Sequence, residues 1–140
     1  ICTITLSSGS GSCNTAFDSA VSQLITASYV GSESHAASTG TTTVVIGLNP
    51  TTLTLSASPN PSTALQSVQF QVTVSPAAAT GTVTLTSGET TICSKSFSSG
   101  AASCTYIFTA SNPSQVVTAS YAGTNAYGAS SDQVTVVVNP

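Results

Sequence analysis

The sequence is almost without charge: only 4% of its 140 residues are Asp, Glu, Lys or Arg, against roughly 25% in an average soluble domain. A single lysine, Lys95, and no arginine cannot neutralise a phosphate backbone, which excludes nucleic acid as a partner. The formal net charge of -3 rests on so few groups that it offers little long-range steering. No apolar run reaches the roughly 18 to 20 residues that a membrane-crossing helix needs, so the segment carries no such span. There is no Trp, no Met and one histidine, His35. With a single His and no Cys-x-x-Cys spacing, the four cysteines do not read as a zinc site.

What is present is apolar and hydroxylated. Hydrophobic residues make up 40% of the chain, enough to fill a core. Ser and Thr supply roughly a third of it and must wet most of the surface. Apolar residues alternate with polar ones in short runs. The strongest is Val68-Gln69-Phe70-Gln71-Val72-Thr73-Val74, whose four apolar members share one face. Similar runs lie at 23–30, 41–46, 51–57, 82–86, 115–121 and 133–138. They are separated by turn signals such as Ser58-Pro59-Asn60-Pro61, Ser75-Pro76 and Thr80-Gly81. No helical periodicity extends beyond a few residues. The pattern predicts an all-β, antiparallel sandwich.

One stretch occurs twice. Cys93 to Cys104, with Ser98-Ser99-Gly100 between them, repeats the spacing of Cys2 to Cys13 around Ser7-Ser8-Gly9. Downstream, Ala27-Ser28-Tyr29-Val30-Gly31 matches Ala119-Ser120-Tyr121-Ala122-Gly123, and Asn49-Pro50 matches Asn139-Pro140. The chain therefore divides into residues 1–50, the back half of a repeat, and residues 51–140, a complete one of about seven strands. The half-repeat lacks everything equivalent to 51–91, so its apolar faces need completion. Either preceding sequence or a neighbouring chain would supply it.

In a hairpin turning at Ser98-Ser99, Cys93 stands opposite Cys104, and the same arithmetic places Cys2 opposite Cys13. Directly opposed residues at a non-hydrogen-bonded site lie about 4.5 Å apart at Cα, within disulfide reach. Of the three connectivities four cysteines allow, this register favours Cys2–Cys13 and Cys93–Cys104. Matched pairs of this kind predict an oxidising, extracellular or cell-surface setting. Free buried thiols and a strained redox pair are the alternatives.

The succession Leu53-Thr54-Leu55-Ser56-Ala57-Ser58-Pro59-Asn60-Pro61-Ser62, Gln66-Ser67-Val68-Gln69-Phe70, Ala79-Thr80-Gly81-Thr82-Val83-Thr84-Leu85 and Thr118-Ala119-Ser120-Tyr121-Ala122-Gly123 resembles the bacterial Ig-like domain repeats. These occur in tandem in large secreted and surface proteins. The resemblance implies immunoglobulin-like sandwich repeats and covers 51–140 fully and 1–50 as a back half. Members often carry an acidic residue shortly after the Gly that follows the strand Tyr, where this chain has Thr124 and Ser32. Cysteines flanking the hairpin turn are a second departure.

Candidate chemistry is sparse. His35 lies near Glu33 and several serines, but the internal alignment puts Tyr127 in its place, as a structural loop position would allow. Asp18, Glu33, Glu89 and Asp132 are scattered one to a segment, whereas calcium wants several oxygens from one loop. Lys95, the only lysine able to form an isopeptide crosslink, is Ile4 in the first copy. No catalytic, metal or cofactor-binding residue is expected. The loop residues Tyr127, Asn125 and His35 are the candidates for a contact with a glycan or protein ligand. The leading expectation is a non-catalytic spacer of an extracellular stalk, fibre or filament, rising about 35 to 40 Å per repeat. Its partners would be adjacent repeats of the same chain or neighbouring copies. The alternative is an adhesin module binding through its loops.

Overall fold

In the computed structural model, which describes all of residues 1–140, every regular element is a strand. The chain divides into two units, Ile1–Leu48 and Asn49–Pro140. The first unit contains β1 (Gln23–Tyr29) and β2 (Ser38–Val44). The second contains β3 (Thr52–Ser58), β4 (Ser62–Thr63), β5 (Ser67–Ser75), β6 (Gly81–Ser87), β7 (Thr90–Phe97), β8 (Ala101–Ile107), β9 (Asn112–Tyr121) and β10 (Ser130–Asn139).

The second unit is a two-sheet sandwich, with strand order β4-β10-β9-β6-β7 in one sheet and β3-β5-β8 in the other. Alternation in sequence becomes alternation in burial. Val68, Phe70, Val72 and Val74 of β5 are buried, while the residues between them face water. They meet Leu53 and Leu55 from β3 in their own sheet, and Val83, Leu85, Val117, Ala119, Tyr121, Val136 and Val138 from the other. Each larger apolar chain so buried contributes about 1.5–3 kcal/mol. Aromatic rings close the two ends of this core: Phe97 meets Tyr121 edge-on at 5.4 Å, and Phe108 meets Phe70 at 6.4 Å. The buried Tyr121 hydroxyl donates to the Thr80 carbonyl at 2.8 Å, which avoids an unpaired polar group in the core.

Two expectations change here. The cysteine stretch is not a two-stranded hairpin: β7 pairs with β6 and β8 pairs with β5, so Ser98-Ser99-Gly100 carries the chain from one sheet to the other. Cys93 and Cys104 are disulfide-bonded with Cα atoms 6.7 Å apart, across the sheets and not along a ladder. Both strands are the last of their sheets, so the bond closes one open side of the sandwich. The crossing turn is tight. Gly100 has φ 73°, a Cβ on it would come within 2.6 Å of the Val74 carbonyl, and the Val74 N–H donates to the Gly100 carbonyl. Second, the front of the unit holds a two-residue strand, β4, parallel to β10, in addition to the seven longer ones.

In the first unit, β1 and β2 form an antiparallel pair running from Gln23 opposite Val44 to Tyr29 opposite Ser38. Residues 1–22 form no strand. Their one bridge joins Ser7 to Ser10 around Ser8 and Gly9, both at positive φ. That turn lies off the centre expected between Ser7 and Ser8, so Cys2 and Cys13 are bonded without being directly opposed, Cα atoms 6.6 Å apart. No residue of 1–48 is buried.

Candidate functional site

The first unit's open face holds a groove of about 860 Å³. One wall is Cys2, Thr3, Ile4 and Leu6; the other is β1 from Ile25 to Tyr29, with Val44 of β2 beside it. Four of its apolar members, Ile4, Leu6, Tyr29 and Val44, each show at least a third of their surface. Cys13, bonded to Cys2, lines the same groove.

The complete unit identifies what this face resembles. The β1–β2 pair has the register of β9–β10: Gln23–Val44 corresponds to Gln115–Val136, and Tyr29–Ser38 to Tyr121–Ser130. Cys2, Ile4 and Leu6 correspond to Cys93, Lys95 and Phe97 of β7. In the complete unit β6 lies between these two walls. Val83 is opposite Lys95 on one side and Tyr121 on the other, and Leu85 is opposite Cys93 and Ala119.

The loop candidates are held in different ways. His35 is exposed in the turn Ser32–His35, with Nδ1 3.2 Å from Ser32 Oγ and 3.0 Å from Ser34 Oγ; its hydrogen-bond partners are serine hydroxyls, with no carboxylate among them. Tyr127 occupies the matching position in the second unit, since Gly31 and Gly123 share positive φ and each backs onto the carbonyl of His35 or Tyr127. Tyr127 is half-buried against the core. Its backbone is bridged to Asn49, whose N–H donates to the Ala126 carbonyl and whose carbonyl accepts from Gly128 N–H, both at 2.8 Å. Thr51 adds a hydroxyl bond to the Gly128 carbonyl. Asn125 is exposed in the same loop. Thr124, standing where an acid is common, accepts the N–H groups of Ala126 and Tyr127 through Oγ1, a turn-capping task that needs an oxygen but no charge.

Two side chains to which the sequence assigned no bracing role, Asp132 and Asn60, link strands of the sandwich. Asp132 Oδ2 on β10 accepts the Leu55 N–H of β3 at 2.9 Å, joining the two sheets. Asn60, between two prolines, donates to the Thr135 carbonyl and accepts from Val137 N–H, standing in for a strand neighbour on β10. No cluster of three His, Cys, Asp or Glu side chains forms.

A family model for bacterial Ig-like domains (group 3) matches residues 55–139, more than half of the chain. The protein belongs to the bacterial Ig-like domain family. No match to it was found among curated proteins or among solved structures. Bacterial Ig-like domains are structural or adhesion modules and typically non-catalytic. The match spans most of β3 through β10, the complete sandwich. The kinship of residues 1–48 rests on the internal correspondence of their cysteines, register and turn.

Proposed function

We propose that the chain is a disulfide-braced, non-catalytic spacer within an extracellular or cell-surface array of Ig-like repeats, such as a stalk, fibre or filament. The observation that carries this reading is the repetition of one strand pair in one register, each copy accompanied by its own cysteine bond. Residues 1–48 are then the back half of a repeat, completed by strands equivalent to β3 through β6. A nearly uncharged, hydroxyl-rich surface keeps such an array indifferent to pH and salt. Docking of Asn49 and Thr51 onto the 123–129 loop fixes the start of the second unit. Negative-stain electron microscopy of the native assembly tests the reading: regularly beaded threads are expected, and isolated particles overturn it. Mass spectrometry without reduction is expected to find no free thiol.

The rival adhesin reading is supported by exposed Asn125 in the 123–129 loop. It is weakened at Tyr127, whose ring packs against the core. Saturable glycan or protein binding by residues 49–140, abolished by Tyr127→Ala without loss of folding, would favour it over the spacer.

A further inference from the structure

The two long sides of the second unit's sandwich are finished differently. On the side of β3 and β10 the strand edges are capped. Asp132 Oδ2 takes the Leu55 N–H, Asn60 takes the Thr135 carbonyl and the Val137 N–H, and β4 pairs with the end of β10. On the other side β7 and β8 end their sheets, and no side chain caps the main chain of either. β7 carries two other safeguards of an edge strand, the lysine Lys95 and a bulge against β6. β8, Ala101–Ile107, has no charge, no proline and no bulge. We infer that the β8 edge is a self-association surface. Two copies of the chain join β8 to β8, antiparallel about a two-fold axis at Cys104, and merge their three-stranded sheets into one. This goes beyond the spacer reading and does not depend on it, because it concerns one edge of the complete unit.

The ladder fixes which groups are free. The Val74 N–H donates to the Gly100 carbonyl, so by antiparallel alternation Ala102, Cys104 and Tyr106 also bond to β5. Ala101, Ser103, Thr105 and Ile107 then turn their N–H and C=O groups to the open edge. A two-fold axis at Cys104 sets Ser103 opposite Thr105 and Ala101 opposite Ile107, which are the residues whose main-chain groups are free. That register uses the whole of the 7-residue strand. The side chains match in it as well. Ser103 and Thr105 form a hydroxyl pair of the kind that stabilises adjacent strands. Ile107, 48% exposed, lies against the small Ala101, and Tyr106 against the small Ala102. No charge on β8 opposes the approach of a copy. An edge of this length supports a weak, reversible dimer, short of the roughly 800 Å² per partner that a stable one buries.

Sedimentation equilibrium of the full 140-residue chain tests this, together with amide exchange at low and high protein concentration. A concentration-dependent dimer is expected. Concentrating the protein should slow exchange at Ser103 and Thr105 at least about tenfold. Leu55, whose N–H is already held by Asp132, should not change. Thr105→Pro removes an N–H that β5 does not use and should raise the dimer dissociation constant at least about tenfold. Ser103→Lys keeps the main chain intact, supplies the edge lysine that β8 lacks, and should raise it at least about fivefold. Thr54→Lys on the capped side should leave the dimer as it is. Urea unfolding of the second unit shows whether each variant has kept its fold, and the lysine variant carries the test if the proline variant has not. A chain that stays monomeric up to about 1 mM overturns the proposal. So does a dimer whose protection maps to another edge or to the first unit, or one that folded β8 variants leave intact. Threads under the microscope are a separate outcome, so the spacer reading and the β8 contact fail independently.

Discussion

The β1–β2 pair and the β9–β10 pair share register and turn yet differ in what covers them. Tyr121 is 1% exposed and Tyr29 is 36% exposed; Val136 is 0% exposed and Val44 is 36% exposed. Ladder hydrogen bonds are the same in both, so the ladder is not what separates a stable sandwich from an open sheet. A two-stranded sheet is marginal in water until a second apolar layer lies on it. In the second unit that layer is β3, β5 and β8, and the front-half strand β6 also fills the sheet itself.

Four measurements would break or sharpen this contrast. Tyr121→Ala should cost about 3–5 kcal/mol of stability in chemical denaturation, since it empties the core and orphans the Thr80 carbonyl. Tyr29→Ala at the matching site should cost under about 1 kcal/mol; equal losses would mean that the first unit is covered after all. Next, replacing Cys93 and Cys104 together by Ala should remove about 2–3 kcal/mol from the second unit, through the 11-residue separation the bond closes. The same change at Cys2 and Cys13 should leave that transition in place.

Asp132→Ala leaves the Leu55 N–H without its acceptor and should cost about 1–3 kcal/mol, while Asp132→Asn, which keeps an oxygen, should cost less. The corresponding residue in the first unit is Gly40, and Gly40→Asp should not stabilise it while no β3-like strand is present. The smallest effect is expected from Thr51→Val, about 0.5–1.5 kcal/mol, read as faster amide exchange at Gly128.

Much of the sandwich could be read from residues. Val68 to Val74 declares its buried face by spacing alone, and Leu53, Leu55, Val83 and Leu85 follow the same rule. Period two states which face is inside but not which neighbour a strand takes. That is why Ser98-Ser99-Gly100, which would serve equally for a hairpin, was expected to be one and instead crosses between sheets. Ser62-Thr63 is too short to carry a period, and β4 had no signal. The likeness of the two units was legible because Cys2, Tyr29 and Gly31 echo Cys93, Tyr121 and Gly123. The packing of Tyr127 was not, because it depends on Asn49, 78 positions away on the chain.

The bond between Cys93 and Cys104 also limits how far this polypeptide can be drawn out. A chain pulled from its ends runs through the sulfur bridge and bypasses the crossing turn, so the 11 steps between the two cysteines cannot lengthen. At roughly 3.3–3.6 Å per residue, about 35–40 Å of slack is withheld from the unit even after its sheets have come apart. A domain built this way keeps its reach short when it is pulled.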